Sequence, residues 1–570
     1  KFVPEMSDIL DQTLTRAGGI STRSGIPSTD EVLNILGAYH FARVFPVDPK
    51  TEKRTREAGM HLWYIVRFDK DTDLKEAARQ LRKLGEISKI QSNPTIRRAY
   101  DPKKKPLYLS ASDLQHVTRT SEGLTFNDPG LKHQWHYQNT GSYDFVKEGA
   151  EAIAGADVNC GEAWKLCKGD PTIIVAVLDE GVMWNHPDLI GNMWTNEAEE
   201  IGSTEDKDGN GYKGDRYGYN FVKNTGVISW TSAEDTGHGT HVAGTIAAVN
   251  GNNKGVGGIA GGDGTENSGV KIMTCQLFDG AYGCTLAAEA KAIKYAADNG
   301  AVILQCSWGY NSPDANEALG YTPGPKDEQD WENQYPLEKE ALDYFIHNAG
   351  SPNGVIDGGL AIFASGNEYA PSSSYPAGYS KCISVSAIAA DFTPSSYTNY
   401  GEEITLCAPG GDGDYYGTPG VADDEFAWEG KTQGLILSTA IKNGQPAYAY
   451  MEGTSMACPH VSGVAALGLS HAVKERRHFK VAEFIELMKE TANDQFYNFY
   501  DEKVEKLYYY NHTTFGAPPT LMNLIERKGK MGRLVDAGAL LKAIGNHGSD
   551  MIVPNVYLAT GKSTSIDLAR

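Results

Sequence analysis

Short apolar runs alternate with segments of helical character between residue 127 and residue 410 of this chain. The apolar runs include TIIVAVLD, VKIMTCQLF, AVILQCSWG, LAIFASGN and KCISVSAI. Strands that are apolar throughout are buried on both faces, and helices between them indicate parallel pairing. The sequence therefore predicts an α/β domain in which a parallel sheet is covered by helices on both faces. In such sheets functional residues collect at the carboxyl ends of the strands, so the segments after VAVLD, CSWG and FASGN are the first candidates.

The N-terminal 126 residues differ in character from this domain. Residues 1–105 contain strand-like and helical segments in an order that predicts a small βαββαβ domain of the ferredoxin-like α+β type, with its first strand near Thr13–Arg16. Residues 106–126 are polar and contain proline, which indicates an exposed linker.

The rest of the chain divides into one large unit and a short end. With 570 residues the chain is long enough for one large domain and smaller ones. The predicted sheet domain covers residues 127–546, and acidic segments at 311–340 and 410–432 are rich in Gly and Pro, as surface insertions are. Residues 547–570 are strand-like and predict the start of a β-type appendage or tail.

Charge and composition exclude several classes of protein. The net charge is −21, so a nucleic-acid partner, which needs a basic surface, is not expected. The charge is uneven, because residues 1–120 carry +6 and the remainder carries −27. The longest aliphatic run, Ile173 to Leu178, is far too short to cross a bilayer. Eight cysteines are too few for a disulfide scaffold, and we expect most to be buried thiols, with a Cys275–Cys284 pair as a weaker alternative.

Three motifs supply an acid, a base and a nucleophile in chain order. They are VAVLDEGV around Asp179, DTGHGTHVAGT around His238 and GTSMACPHVSG around Ser455. Any one of them alone is more often a turn or a helix start, but three in this order are a specific pattern. The sequence resembles the subtilisin-like serine proteases, and the resemblance covers most of residues 127–544. It implies that Ser455 attacks the scissile carbonyl, His238 transfers the proton and Asp179 orients the imidazole.

The residues around the predicted nucleophile suit acyl transfer. Gly453 and Thr454 precede Ser455, and the residues after it have helical character, which predicts that the hydroxyl lies at a helix N-terminus. There the backbone dipoles favour a developing oxyanion. By the resemblance, the side chain of Asn367 is the second donor of the oxyanion hole.

The resemblance also implies where a peptide substrate binds. Ser307, Trp308 and Gly309 form an edge along which the peptide lies extended, as an added strand. The pocket for the residue before the scissile bond is built from the Ala364–Asn367 segment, with Gly366, and from the segment around Ser374. Glu368 matches a rim position that would favour basic side chains, although an exposed Glu is more often only solvated. These features predict broad endopeptidase activity on proteins or peptides.

One position departs from the family pattern. The residue after the predicted catalytic aspartate is usually Ser or Thr, whereas Glu180 accepts hydrogen bonds only and adds negative charge. We expect Glu180 to point away from the triad and to leave activity intact.

An acidic loop predicts a structural calcium site. DKDGNGYKGD carries Asp206, Asp208, Asn210 and Asp215 at alternating spacing, with Gly at the turn. The twelfth position is Tyr217 rather than Glu, so the loop is not an EF-hand, and a polar turn without a metal is the alternative. By the resemblance, Asp188 belongs to a second calcium site.

The resemblance assigns a role to the basic N-terminal domain as well. It corresponds to an inhibitory propeptide that assists folding and then occupies the groove, and its charge suits an acidic partner. Self-cleavage is expected between Pro106 and Phe126, which predicts a zymogen that is secreted, periplasmic or on the cell surface. Two alternatives remain: a subtilase-fold scaffold that binds peptides with little turnover, and a maturation protease with one dedicated substrate.

Overall fold

The computed structural model describes residues 1–98, 106–109, 125–142, 151–350, 354–413, 434–503, 505–508 and 520–546. The predicted appendage at 547–570 lies outside the described residues, as do most of the predicted linker at 106–126 and most of the predicted insertion at 410–432. Of the described helices, none is both long and apolar enough to cross a membrane.

The N-terminal unit, residues 1–98, consists of a small antiparallel sheet and four helices. The sheet has the order β1-β2-β3. Its strands are β1 (Ile20–Ser21), β2 (Ala38–Arg43) and β3 (Tyr64–Phe68), and its helices are α1 (Ser7–Arg16), α2 (Pro27–Ile35), α3 (Glu52–Glu57) and α4 (Leu74–Leu81). Phe41 of β2 stacks on Tyr64 of β3, and Phe2 packs edge-on against both rings. These contacts build a separate small core under the sheet.

Two expectations for this unit are wrong. Residues Thr13–Arg16 end helix α1 rather than forming a strand, because Leu10 and Leu14 stand four residues apart on one buried helix face. The last strand of the predicted βαββαβ order corresponds to the strand-like segment EISKIQ, residues 86–91, and it is reduced to one antiparallel bridge between Phe2 and Ile87. The described order is therefore α1, β1, α2, β2, α3, β3, α4.

The sheet domain is built around nine strands. The later strands are β4 (Leu107–Tyr108), β5 (Ile174–Glu180), β6 (Gly218–Asn220), β7 (Lys271–Asp279), β8 (Tyr282–Gly283), β9 (Ile303–Cys306), β10 (Ile356–Asp357), β11 (Leu360–Ala364), β12 (Ile383–Ile388), β13 (Leu406–Pro409), β14 (Ile436–Lys442), β15 (Gln445–Met451), β16 (Phe479–Lys480), β17 (Glu505–Tyr508), β18 (Thr520–Asn523) and β19 (Arg533–Leu534). The central sheet has the order β19-β13-β12-β11-β9-β5-β7-β6, with β8 beside β7. All its pairings are parallel except that of β7 with β8. The predicted parallel α/β sheet is confirmed.

Both faces of this sheet are buried, as the apolar runs predict. In β5, Val175 and Val177 point to one core, whereas Ala176 and Leu178 point to the other. The helices that follow the N-terminal unit are α5 (Cys160–Ala163), α6 (His238–Ala247), α7 (Leu286–Asp298), α8 (Glu328–Gln334), α9 (Pro336–Asn348), α10 (Thr454–Lys474), α11 (Val481–Thr491), α12 (Tyr497–Lys503) and α13 (Ala537–Asn546). Helices α6 and α10 pack on the first core, and helices α7 and α9 pack on the second.

Smaller sheets flank the central one. Strands β14 and β15 form an antiparallel hairpin, and β4 from the beginning of the predicted linker pairs with β15. Strand β10 pairs with β16, and β17 pairs with β18.

The N-terminal unit is joined to helices α7 and α9 by charged groups. Glu340 of α9 accepts hydrogen bonds from the side chains of Lys1, Trp63 and Lys89 at 2.6, 2.7 and 2.9 Å. Arg54 of α3 forms an ion pair with Asp298 at the end of α7 at 2.8 Å. Basic residues of the first unit therefore meet acidic residues of the sheet domain, as the uneven charge suggests.

The segment at 311–340 is not only a surface insertion. Trp331 of α8 is fully buried, and its indole N–H donates to Glu338 of α9 at 2.6 Å. Leu337 is buried as well, so part of this acidic segment belongs to the second core. The charged composition of the segment predicts exposure, and composition alone does not reveal that Trp331 is buried.

All eight cysteines are buried free thiols, as expected for most of them. The alternative of a Cys275–Cys284 disulfide is therefore wrong. Burial raises the pKa of these thiols, and that of Cys458 rises to about 12.

Candidate active site

Asp179 and His238 form a buried pair at the carboxyl end of β5. Asp179 is the sixth residue of that strand, and His238 is the first residue of α6. The imidazole Nδ1 lies 2.8 Å from Asp179 Oδ1 and 2.9 Å from Oδ2. A carboxylate in this position holds the proton on Nδ1 and directs Nε2 outward as a base.

Ser455 lies at the start of the buried helix α10. Its Oγ is 3.3 Å from the carbonyl oxygen of Ser307, which follows β9. The carbonyl of Ser455 would normally accept from the N–H four residues later, but that residue is Pro459, which has none. The hydroxyl of Ser307 donates to this carbonyl instead, at 2.8 Å. Pro459 thus leaves the Ser455 carbonyl available to Ser307, and this hydrogen bond joins the start of the helix to the end of β9.

Asn367 is fixed by the residue before Ser455. Its Oδ1 accepts from the backbone N–H of Thr454 at 2.9 Å and from the Thr454 hydroxyl at 2.8 Å. Because both donors bind the oxygen of the amide, the orientation of the side chain is fixed and its NH₂ group points away from Thr454. Thr454 is therefore a positioning residue, a role that was not predicted for it; its place directly before the nucleophile is the signal that could have identified it.

The predicted substrate edge follows β9 directly. Gly309 lies against the segment around Ser374, since a Cβ at Gly309 would come within 2.9 Å of the carbonyl oxygen of Tyr375. The N–H of Tyr310 donates to the same oxygen at 2.8 Å. Trp308 is buried and packs edge-on against Phe363 of β11.

The turn after β11 depends on Asn399. Gly366 has a φ of +108°, and a Cβ there would lie 2.3 Å from the Asn399 amide nitrogen, so this position requires glycine. Ser374 donates its N–H to Ser365 at 2.9 Å, which ties the two predicted pocket segments together. The substrate-binding roles of Gly366 and Ser374 stay predictions.

Glu368 does not stand open at a rim, so that expectation is wrong. Its side chain is buried and accepts a hydrogen bond from the amide of Asn399, whose oxygen in turn accepts from the Glu368 N–H at 3.0 Å. Burial raises the pKa of Glu368 to about 7. The turn that carries Asn367 packs this side chain inward, which spacing along the sequence does not reveal.

Glu180 does not turn away from His238, contrary to expectation. Its carboxylate accepts from the backbone N–H groups of Thr236 at 3.0 Å and of His238 at 3.1 Å. These donors lie at the N-terminus of α6, where the helix dipole favours a negative charge. Arg98 of the N-terminal unit lies 3.2 Å from the same carboxylate. Nothing in the residues around Arg98 marks it as part of this site, because the contact spans distant parts of the chain.

The acidic loop contains a group of carboxylates suited to a hard cation. One oxygen each from Glu199, Asp206 and Asp208 lie within 4.8 Å of one another, and Glu199 was missed because it precedes the motif. Asp206 accepts from the N–H groups of Gly209 and Gly211, both at 2.8 Å, which closes the loop. Clustered carboxylate oxygens are the ligands that Ca²⁺ takes, so these residues fit calcium.

The other predicted ligands have different partners. Asp215 is buried and accepts from Tyr295 at 2.8 Å and from Asn210 at 3.0 Å, and burial raises its pKa to about 6. Asp188 accepts from Asn252 at 2.6 Å and from the N–H of Val256 at 2.9 Å, and burial raises its pKa to about 7. Among the residues that the structure describes, neither carboxylate belongs to the group around Asp206.

We expect Glu368→Gln to remove a pH dependence of stability. Burial raises the pKa of Glu368 from 4.5 to about 7. The stabilisation that this group gives to the folded state is therefore fully present below pH 4.5, and it is lost as the pH rises to about 7. The free energy of unfolding of the wild type, relative to Glu368→Gln, should fall by about 1.4 kcal/mol for each pH unit over that range. Urea unfolding at several pH values measures this, and a difference that stays constant with pH would contradict it.

A model of the subtilase family matches residues 170–510, which include Asp179, His238 and Ser455. Halolysin from Haloferax mediterranei is 30% identical over 369 residues, which are 65% of this chain and 54% of that protein. Thermitase from Thermoactinomyces vulgaris is 30% identical over 306 residues, 54% of this chain and 77% of that protein. The chain thus spans about half the length of the halolysin that it matches. A solved protease from Pseudoalteromonas arctica is 23% identical, with a TM-score of 0.45, and covers 74% of this chain and all of its own. With its family model matched over more than half of its length, this chain belongs to the subtilase family.

Proposed function

We propose that this chain is a serine endopeptidase that hydrolyses peptide bonds through an acyl-enzyme. The observation that carries the proposal is the Asp179–His238 pair at 2.8 Å, placed at the same edge of the sheet as the N-terminus of the helix that bears Ser455. Nε2 of His238 takes the proton of the Ser455 hydroxyl while Oγ attacks the substrate carbonyl. The same proton passes to the leaving amine, and water then releases the acyl group by the reverse sequence.

The oxyanion of each tetrahedral intermediate is bound by the side chain of Asn367 and the N-terminus of α10. Thr454 prepares this arrangement, because it holds the oxygen of the Asn367 amide and leaves the NH₂ group to donate. In the intact chain the Ser455 hydroxyl points to the Ser307 carbonyl, and it turns to His238 when a substrate binds.

The substrate is a protein or peptide that lies extended beside Ser307, Trp308 and Gly309. The segments around Gly366 and Ser374 line the pocket for the residue before the scissile bond. Backbone pairing of this kind accepts many sequences, so the activity is that of a broad endopeptidase.

The N-terminal unit acts as an inhibitory propeptide and folding aid. Its ion pairs with α7 and α9 hold it against the sheet domain. The pairing of β4 with β15 holds the beginning of the predicted linker there as well. Self-cleavage between Pro106 and Phe126 releases the N-terminal unit, and the enzyme works outside the cytoplasm, as relatives named extracellular do.

Calcium stabilises the loop around Asp206. Glu199, Asp206 and Asp208 hold the ion. Asn210 and Asp215 are hydrogen-bonded to each other in the same acidic loop, and Asp188 fixes a different loop through the N–H of Val256. Two relatives are named calcium-dependent proteases, which supports a calcium-binding role in this chain.

We expect Ser455→Ala to abolish both casein hydrolysis and self-cleavage. The wild type should lose a fragment of about 12–14 kDa, the mass of its first 106 to 126 residues, and become active. Ser470→Ala on the same helix is the control, because its hydroxyl bonds only to the Ala466 carbonyl among the contacts described. Intact mass and hydrolysis followed over time measure both events. A wild type that stays whole and inert would favour the peptide-binding scaffold.

We expect Asn367→Ala to lower kcat by about 10²- to 10³-fold with little change in KM. That is the loss seen when subtilisin loses the corresponding amide, because the donor acts only on the oxyanion. Steady-state hydrolysis of a peptide substrate measures it, with exposed Asn333→Ala as the control. An unchanged kcat would show that Asn367 has no part in the oxyanion hole.

We expect calcium to raise the melting temperature, and Asp206→Asn to remove most of that rise. A ligand at 100 times its Kd adds about 2.7 kcal/mol to the stability of the folded state. The control is Glu205→Gln, whose exposed side chain neighbours the group without belonging to it. Equal melting temperatures with calcium and with chelator would refute the site.

A further inference from the structure

A buried tyrosine outside the three motifs contacts both halves of the proposed oxyanion hole. Tyr397 lies in the segment between β12 and β13, and only 7% of its surface is exposed. The hydroxyl of a buried tyrosine needs hydrogen-bond partners, because a polar group left unpaired away from water costs free energy. The partners of this hydroxyl therefore show what the residue holds in place.

The hydroxyl of Tyr397 is bound to the turn that begins helix α10. It accepts a hydrogen bond from the backbone N–H of Gly453 at 2.8 Å. It lies 2.9 Å from the carbonyl oxygen of Gly410 and 2.8 Å from that of Gly411, and it donates its proton to this pair of acceptors. One hydroxyl thus joins the end of β13 to the residue two places before Ser455.

The conformation of Gly453 gives this contact its importance. Its φ of +145° is one that residues with a side chain rarely adopt, and it turns the chain into the helix. The carbonyl of Gly453 then accepts from the N–H groups of Met456 at 2.9 Å and Ala457 at 3.2 Å. Because glycine has more conformational freedom than any other residue, its position depends on such contacts. The Tyr397 hydroxyl and the Gly410 carbonyl, at 3.0 Å, share the task of holding its N–H.

The backbone of Tyr397 holds the loop that carries Asn367. Its carbonyl oxygen accepts from the N–H of Tyr369 at 2.9 Å, and Tyr369 has a φ of +56°. Two residues further on, Asn399 accepts from the N–H of Glu368 at 3.0 Å. The loop with the proposed oxyanion donor is therefore laid directly on the segment of Tyr397.

These contacts close a ring around the proposed oxyanion hole. Following hydrogen bonds and the chain in turn, the ring consists of Tyr397, Gly453, Thr454, Asn367 and Tyr369. We infer that Tyr397 is a positioning residue that fixes the spacing between the two oxyanion donors, the Asn367 amide and the Ser455 N–H. The inference rests on the proposed protease function and adds a residue that acts through others.

Loss of the hydroxyl opens this ring at one link and leaves the carbonyl contact of Tyr397 in place. The first turn of α10 then shifts, and Thr454, which holds the oxygen of the Asn367 amide, shifts with it. Oxyanion donors work because they are placed in advance, and a displacement of about 1 Å costs up to about 10²-fold in rate. The oxyanion forms only after the substrate is bound, so the loss belongs to kcat rather than KM.

We expect Tyr397→Phe to lower kcat by about tenfold while KM stays within about twofold of the wild type. Steady-state hydrolysis of a peptide substrate measures both constants in the full chain, after incubation until the rate is constant. Active serine is titrated to completion with a fluorophosphonate, and kcat is expressed per active serine, so a loss of folded protein cancels. Tyr500→Phe is the control, because this phenol is also buried but donates to the carbonyl of Phe392, at 3.1 Å.

The double variant separates positioning of the oxyanion donors from a general structural effect. In the Asn367→Ala background, Tyr397→Phe should cost about threefold or less in kcat, because one of the two positioned donors is already absent. Equal fold losses in both backgrounds would contradict the inference. A wild-type kcat in Tyr397→Phe, or a loss seen in KM alone, would overturn it and leave the proposed function intact. A wild type that hydrolyses no peptide would overturn both.

Discussion

Helix α10 is buried from Thr454 to Ala472, and the position of its first turn determines the geometry of the whole site. A helix start inside a protein has backbone groups that need partners, and here the ends of two strands provide them. Ser307, after β9, donates to the carbonyl that Pro459 cannot serve, and Asn367, after β11, accepts from Thr454. The same contacts that satisfy the helix therefore place the proposed nucleophile and oxyanion donor. The Asp179–His238 pair approaches from β5, the neighbour of β9 on its other side.

Charge organises a second layer around this arrangement. Two carboxylates follow one another at the end of β5 and have different partners: Asp179 binds the imidazole of His238, and Glu180 binds the start of the helix that carries it. Arg98 and the pairs at Glu340 and Asp298 join the basic N-terminal unit to the acidic sheet domain.

The sequence was sufficient for the sheet and for the motifs that contain the paired Asp179 and His238. Continuous apolar runs such as that of β5 have no polar face, so a sheet buried on both sides follows from the pattern alone. Local periodicity failed where long-range contacts decide: Leu10 and Leu14 make α1 a helix where a strand was expected, and Trp331 takes an acidic segment into the core. The surroundings of Glu368 and Glu180 differ from those expected, because their partners Asn399 and Arg98 come from distant parts of the chain. No spacing within a motif carries that information.

The central claim is that Ser455 is a nucleophile activated by the Asp179–His238 pair. Reaction of the chain with a fluorophosphonate, followed by peptide mapping of the adduct by mass spectrometry, tests this most directly, because such reagents modify only a serine whose hydroxyl is activated. The expected result is one adduct, on Ser455, whose rate of formation drops steeply in His238→Ala. An adduct on another serine, or an unreactive Ser455 in a chain freed of its N-terminal unit, would contradict it.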